Sequence, residues 1–337
     1  MRHVLLTGAA GFAGSHCLRH ILRNTGATVA APVSMDHKGT PERIAAAMAG
    51  FPAGRVQVIP VNLAQPLTTL TCAAFGNPDV IINYAAESHV ERSITGPVRF
   101  AANNVNLMLV MLEYARGLDS LDAFVQVSTD EVYGPCAGPA HAEWSPVVPS
   151  NPYAASKACQ EALATAWWRT YGLPLLIVNS MNMFGEHAQN PEKFVPMVMA
   201  AVAAGETVTV HSSADGVVGS RCWIHARNVA DGILHLTREG YASRYEPQMA
   251  GPEGEPRPAR FNIVGDELTN LEMAQKIAAA MGKPLHYSMT DFHSSRPGHD
   301  LRYALDGAKM ASAGWRAPVS LDDGIARMVA AEMANAR

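Results

Sequence analysis

The stretch Thr7-Gly8-Ala9-Ala10-Gly11-Phe12-Ala13-Gly14 decides the fold. It follows a short apolar run, His3-Val4-Leu5-Leu6-Thr7, and opens a helical pattern over 12–24. Its glycines are spaced G-x-x-G-x-x-G. Gly8 permits a tight turn, Gly11 lets backbone N–H groups approach a pyrophosphate, and Gly14 lets the helix lie close to the strand. The helix N-terminus, with Phe12 and Ala13 in its first turn, adds positive potential for phosphate. A glycine triplet alone is a weak signal. Its place between a strand and a helix is the context a dinucleotide site requires.

Outward from this loop, strand patterns fall at 3–7, 27–33, 56–61, 79–84, 123–128 and 174–179. Most are runs of Val, Ile and Leu, as in strands buried on both faces. Helical patterns lie between them at 12–24, 40–49, 97–116 and 153–171. The repetition predicts an α/β fold, a Rossmann-type doubly wound parallel sheet built by right-handed crossovers. The second half is broken by Pro191, Pro196 and several glycines, with helical patterns near 194–204, 228–238, 270–281 and 320–336. The stretch 246–260 holds four prolines and two glycines and reads as an exposed loop. These patterns predict a dinucleotide-binding domain over 1–180, with returns near 223–238 and 261–266. A smaller mixed α/β C-terminal substrate-binding domain takes 181–222 and 239–337, interleaved with the first.

Bulk composition narrows the function. The chain has 337 residues, 48% hydrophobic and 17% charged, which are globular values. A net charge of -4 provides no general basic surface and argues against nucleic acid as a partner. The cysteines Cys17, Cys72, Cys136, Cys159 and Cys222 are odd in number and lack C-x-x-C spacing. They read as free thiols of a reducing compartment and call for no metal. No apolar run approaches the roughly 20 residues of a membrane helix. With no secretory signal pattern at the start, the expected location is the cytoplasm.

The second strand runs Thr28-Val29-Ala30-Ala31-Pro32-Val33-Ser34-Met35-Asp36-His37-Lys38. An acid at such a strand end normally holds the adenosine ribose. Val33 stands there, and Asp36 follows three residues later. Either Asp36 reaches the ribose of NAD, or Ser34, His37 and Lys38 take the 2′-phosphate of NADP. A solvated loop is the plain alternative. NAD is the expectation adopted, with NADP as the second.

Tyr153-Ala154-Ala155-Ser156-Lys157 places Tyr153 and Lys157 at i and i+4 on one helix face. A phenol with an ordinary pKa of about 10 is a poor base, but an adjacent ammonium favours phenolate. Such a pair can take a proton from a sugar hydroxyl. Thr129 follows the strand 123–128 at the ligand-facing end, and Asp130 and Glu131 come next. Two adjacent carboxylates push one pKa upward if buried, which suits an acid and a base. A solvated acidic turn is the competing reading.

Beyond these features the chain resembles the extended short-chain dehydrogenase/reductases and, within them, the dTDP-glucose 4,6-dehydratases. The resemblance rests on motifs in order. They are Thr7 to Gly14, Ala85-Ala86-Glu87-Ser88-His89-Val90-Glu91-Arg92-Ser93-Ile94, Ser128-Thr129-Asp130-Glu131-Val132-Tyr133-Gly134, Tyr153 with Lys157, Pro191-Glu192-Lys193-Phe194-Val195-Pro196, and Ser295-Arg296-Pro297-Gly298-His299-Asp300. It implies that Tyr153 takes the 4-hydroxyl proton as C4 hydride moves to the nicotinamide. Glu131 then removes H5 while Asp130 protonates the departing 6-hydroxyl, and hydride returns to C6. It further implies that Asn62, Leu63, Ala85, Ala86, Ser88, Asn104 and Val127 run along the cofactor with Tyr153 and Lys157. Ser88, Arg92, Thr129, Asn182, Glu192, Lys193, Arg221, Arg296 and His299 are implied for the nucleotide-sugar path, where arginine forks suit a diphosphate.

Departures from the family pattern cluster near the adenosine and the substrate. They are Val33, Asn62, Asn179, Met183, Cys222 and the run 211–215. They leave the sugar and the base open. The leading expectation is a nucleotide-sugar 4,6-dehydratase. A C4 epimerase or a dehydratase of other regiochemistry is the alternative, and a dinucleotide-binding regulator without chemistry is the non-enzymatic one. Helices 97–116 and 153–171 carry apolar residues on more than one face, among them Leu107, Leu109, Leu112, Leu163, Trp167 and Trp168. The resemblance implies a homodimer through a four-helix bundle; plain core packing is the other reading.

Overall fold

The computed structural model describes residues 1–34, 39–186, 190–243, 256–291 and 300–335. Its strands are β1 (His3–Thr7), β2 (Thr28–Val33), β3 (Val56–Pro60), β4 (Val80–Asn83), β5 (Ala123–Thr129), β6 (Leu175–Ser180), β7 (Asn182–Phe184), β8 (Thr207–Ser212), β9 (Ser220–His225), β10 (Ala259–Asn262), β11 (Asp266–Thr269) and β12 (His286–Asp291). Among the described residues, seven of them form one sheet in the order β10-β6-β5-β4-β1-β2-β3. Every pairing in it is parallel. The order reverses between β4 and β1, so the crevice at their carboxyl ends is the expected ligand site of a doubly wound sheet.

The alternation of side chains along β1 shows why both faces are covered. Val4 and Leu6 are buried with Leu18 and Ile21 of the helix Phe12–Asn24 and with Val229 and Ile233 of the helix Ala226–Arg238. Leu5 points the other way, into a cluster with Met108 and Leu112 of the helix Pro97–Arg116 and Ala164 of the helix Pro152–Tyr171. Each Leu or Ile so buried contributes about 1.5–3 kcal/mol. A mixed apolar and polar strand would leave one helix layer without a partner.

The second lobe has its own core. β9 pairs antiparallel with β11 and parallel with β7, and β8 pairs parallel with β12. Phe184, Val198, Trp223, Met273, Ile277, Ile325 and Met328 fill the space beneath. The helix Asn270–Ala280 starts with a capping box between Thr269 and Glu272.

Two boundaries differ from the sequence expectation. The stretch 261–266 is split: Asn262 ends β10 in the large sheet, and Asp266 begins β11 in the small one. Gly265 makes that crossing, where a Cβ would sit 1.9 Å from the carbonyl oxygen of Trp223. Likewise β9 belongs to the small sheet, and the chain returns to the first lobe only with the helix Ala226–Arg238. Of the expected loop 246–260, residues 246–255 lie outside the described residues, but Ala259 and Arg260 are buried in β10. A buried arginine hid this strand from a hydrophobicity reading. No helix among the described residues is long and apolar enough to cross a membrane.

Candidate active site

The phosphate loop is built from the end of β1. The Thr7 hydroxyl donates to Asn83 Oδ1 at 2.6 Å and accepts from the Ala85 N–H at 3.0 Å, tying the ends of β1 and β4 together. Gly8 turns with φ +70, and the Gly11 N–H donates to its carbonyl at 2.9 Å. A Cβ on Gly14 would lie 2.1 Å from the Gly8 oxygen. The loop therefore forms the tight, side-chain-free cradle that a pyrophosphate needs at a helix N-terminus.

A cleft of about 760 Å³ starts at this cradle. Gly8, Gly11, Phe12, Ala13 and Gly14 line its first part, with Ser34, Asn62 and Leu63 toward the expected adenosine end. Asp36, His37 and Lys38 lie outside the described residues. Arg43, which the sequence reading passed over, lines the cleft beside Ser34; burial lowers its pKa. Ala85, Ala86, Ser88 and Val127 continue the wall toward Thr129, Asp130, Glu131, Tyr153 and Lys157. Asn182 and Lys193 line the far end. Asn104 sits behind the wall instead. It accepts from the Glu87 N–H at 2.8 Å and donates to the Glu87 carbonyl at 3.0 Å and to Ser156 Oγ at 2.9 Å. It braces the 85–88 loop.

The carboxylate pair sits in two different environments. Asp130 is buried and accepts the Thr129 hydroxyl on Oδ1 at 2.9 Å, while its Oδ2 has no hydrogen-bond partner among the described residues. Burial and the neighbouring Glu131 raise its pKa to about 7, against the Thr129 hydrogen bond and the charge of Arg221. Glu131 is half-buried and accepts from Asn151 Nδ2 at 3.0 Å on Oε2. One group is thus poised as a neutral acid beside a second, more open carboxylate.

Tyr153 begins the next helix, whose first turn is capped by Asn151 and started by Pro152. Burial, Glu131 and Asp130 push its phenol well above the ordinary value, while a hydrogen bond with Thr129 acts the other way. Lys157 is buried one turn on and donates to the Val127 carbonyl at 2.7 Å and to Gln160 Oε1 at 2.6 Å. Burial lowers its pKa to about 8, opposed by Glu161. Asn151, Gln160 and Glu161 were not singled out from sequence. Asn151 was detectable as an N-cap before proline, and Glu161 as the next i+4 step after Tyr153 and Lys157.

At the mouth, Glu192 pairs with Arg92 at 3.4 Å and with His89 at 3.3 Å, and Lys193 Nζ donates to the Ser88 carbonyl at 3.4 Å. Arg221 donates to the carbonyls of Ser220, Leu301 and Asp300 at 2.6, 2.9 and 2.7 Å and lies 4.7 Å over the Tyr303 ring. Arg296 and His299 lie outside the described residues.

Comparison with known proteins shows what the chain is similar to. The model of the NAD dependent epimerase/dehydratase family matches residues 4–246. The low-salt glycan biosynthesis protein Agl12 of Haloferax volcanii is 34% identical over 323 residues, which are 96% of each chain. The crystal structure of DesIV, a dTDP-glucose 4,6-dehydratase from Streptomyces venezuelae with NAD bound, has 31% identity and a TM-score of 0.82, covering 99% of this chain and 98% of its own. A UDP-glucose 4-epimerase from Thermus thermophilus, in complex with NAD, has 26% identity and a TM-score of 0.80 over 98% of each chain.

Proposed function

The chain belongs to the NAD dependent epimerase/dehydratase family, and we propose that within it the protein is a nucleotide-sugar 4,6-dehydratase. The observation that carries this reading is the Asp130–Glu131 pair, with Asp130 held near pKa 7 and an unpartnered buried oxygen on the cleft wall. The residues along the cleft fit NAD: Gly8, Gly11, Phe12, Ala13 and Gly14 for the pyrophosphate, Ser34, Asn62 and Leu63 for the adenosine, and Ala85, Ala86, Ser88, Val127, Tyr153 and Lys157 for the rest. When bound, NAD would supply a temporary acceptor for one hydride of the sugar, taken from C4 and given back at C6 once the 6-hydroxyl has left. Thr129 and Tyr153 hold the 4-hydroxyl, and Tyr153 takes its proton, a role in which the positive charge of bound NAD would oppose the burial and the carboxylates that raise its phenol. Glu131 removes H5, which the C4 ketone has acidified. Protonated Asp130 gives its proton to the 6-hydroxyl, which leaves as water. Glu131 then returns a proton to C5, and the proton taken from the 4-hydroxyl balances the one lost in water. The product is a 4-keto-6-deoxy sugar.

Asn182 and Lys193 line the sugar end of the cleft, whereas Arg92, Glu192 and Arg221 are not among its lining residues. The likeness to a 4-epimerase favours C4 epimerisation as the second reading, but that reaction leaves Asp130 and Glu131 without a task. A regulator without chemistry has no use for the Tyr153–Lys157 helix either. We also propose a cytoplasmic homodimer joined through the helices Pro97–Arg116 and Pro152–Tyr171, where Val98 is 82% exposed. The test of the reaction is incubation with dTDP-, UDP-, GDP- and CDP-hexoses followed by NMR of the products. A ketone with C6 reduced to methyl is expected; retention of the C6 oxygen in every product sinks the dehydratase reading.

A further inference from the structure

Tyr153, Lys157 and Glu161 occupy successive i+4 positions on one face of the helix Pro152–Tyr171. The first two line the cleft; the third lies behind it, fully buried. Its carboxylate is not idle. Glu161 Oε2 pairs with Arg260 Nη2 of β10, the outermost strand of the large sheet. Glu161 Oε1 accepts from Asn179 Nδ2 at 2.8 Å, and the same Asn179 amide donates to the Thr129 carbonyl at 3.0 Å. Arg260 is held in turn by the Glu143 carbonyl at 3.0 Å, by Tyr133 Oη at 3.3 Å and by the Trp144 ring at 4.3 Å.

We propose that Glu161, fixed by Arg260, is a positioning residue for the reaction: it is the buried counter-charge of Lys157 and the anchor, through Asn179, of the Thr129 strand end. The supports of two reacting groups thus meet on one carboxylate. Lys157 donates to two neutral acceptors, Val127 O and Gln160 Oε1. Such acceptors alone are weak compensation for a buried ammonium. Other charged or titratable groups around this helix face are Tyr153 on the helix itself, Asp130 and Glu131 after β5, Arg260 on β10, and Tyr133 and Glu143 beyond Arg260. Of these neighbours, Glu161 is the one that offsets the effect of burial on Lys157. The proposal rests on the reading that Lys157 assists proton removal from the sugar hydroxyl, a step shared by dehydratase and epimerase chemistry.

The experiment is an NMR titration of isotope-labelled lysine in the full-length protein, with the Lys157 signal assigned by its loss in Lys157→Arg. The wild-type ammonium should titrate near about 8. In Glu161→Gln the midpoint should fall by about one to two pH units, the size of one nearby buried charge. In Glu161→Asp, which keeps the charge, it should stay near wild type. The double variant Glu161→Gln/Arg260→Gln removes both charges together, so it gives the answer if the single variant does not fold; a smaller downward shift is expected. In kcat, a second alkaline limb above the one set by Asp130 should move with this midpoint. An unchanged Lys157 midpoint in Glu161→Gln, or in the double variant where the single one does not fold, overturns the proposal and leaves Glu161 as packing only. Because the titration needs no substrate, its outcome is separate from any failure to find dehydration.

Discussion

Asn151 joins Glu131 to the helix that carries Tyr153. Its Nδ2 donates to Glu131 Oε2 at 3.0 Å, and its Oδ1 accepts from the Ala154 N–H at 2.9 Å as the N-cap. One amide therefore sets the distance between the carboxylate proposed as base and the phenol. The two roles can be separated. Asn151→Ser should keep the cap, with thermal stability near wild type, but lose the bond to Glu131 and about tenfold in kcat. Asn151→Ala should lose both, with about 1 kcal/mol of stability gone as well. Equal kcat in the two variants and wild type would show that Glu131 needs no such support.

Asp130 carries a pH signature. Its folded pKa of about 7 lies above the ordinary 3.8, so the proton it holds is available below about 7 and is lost above it. The proposed acid step should therefore fail as pH rises through that value, seen as an alkaline limb in kcat. Asp130→Asn should remove the limb together with about 10²–10⁴-fold of the rate. The stability sign is the same. A raised carboxyl pKa gives stability that is fully present below about 3.8 and lost as pH rises through about 7. Asp130→Asn should accordingly melt at a higher temperature than wild type on the alkaline side.

Gly14 tests the cradle. With the Gly8 oxygen 2.1 Å from the place of its Cβ, Gly14→Ala must push the first helix away from β1. A cost of about 1–3 kcal/mol is expected, with a clear loss of NAD affinity by calorimetry. Wild-type affinity in a folded Gly14→Ala protein would mean that the pyrophosphate binds elsewhere.

A second ion pair should govern acid stability. His225 Nε2 meets Glu186 Oε2 at 2.9 Å, and His16 of the first helix bonds the Glu186 carbonyl at 2.7 Å. Burial alone would raise the Glu186 pKa. The His225 hydrogen bond, its own backbone and the charges of His225 and His16 outweigh this and bring it to about 2. A depressed carboxyl contributes stability above its ordinary 4.5, lost as pH falls from there toward about 2. Glu186→Gln should therefore flatten the stability curve in that window, measured by denaturant unfolding at stepped pH. A curve parallel to wild type would assign the acid sensitivity to other carboxylates.

Much of this was legible in the chain. β1, β4 and β6 are rich in Val, Ile and Leu because both of their faces are buried, and such runs stand out without knowledge of the partner. The helix Pro97–Arg116 was read with its boundaries intact. The cleft wall from Thr129 to Lys157 was found because each residue has a distinctive chemistry at a strand or helix end. Other parts were hidden for definable reasons. β8, Thr207-Val208-Thr209-Val210-His211-Ser212, alternates between exposed and buried, but six residues of alternation carry little weight amid glycines and prolines. β10 is Ala-Arg-Phe-Asn, and its arginine and asparagine are tolerated inside only because Glu161, Glu143 and His141 lie across from them. Those partners are about 100 residues away in sequence, at separations of 99, 117 and 121. No local pattern reports a compensation at that distance.

The crossing at Gly265 has a consequence for how this protein can be cut. The first lobe is completed by a strand that the chain supplies only after it has built half of the second. Ending the polypeptide before β10 would strip the neighbour from β6, exposing the N–H and C=O groups of Leu176 to Asn179 as an open edge beside the strand that ends in Thr129. Such an edge invites pairing with other molecules. The two lobes are thus not modules that recombination or domain grafting could trade separately. A nucleotide-binding half made on its own should aggregate through its catalytic side.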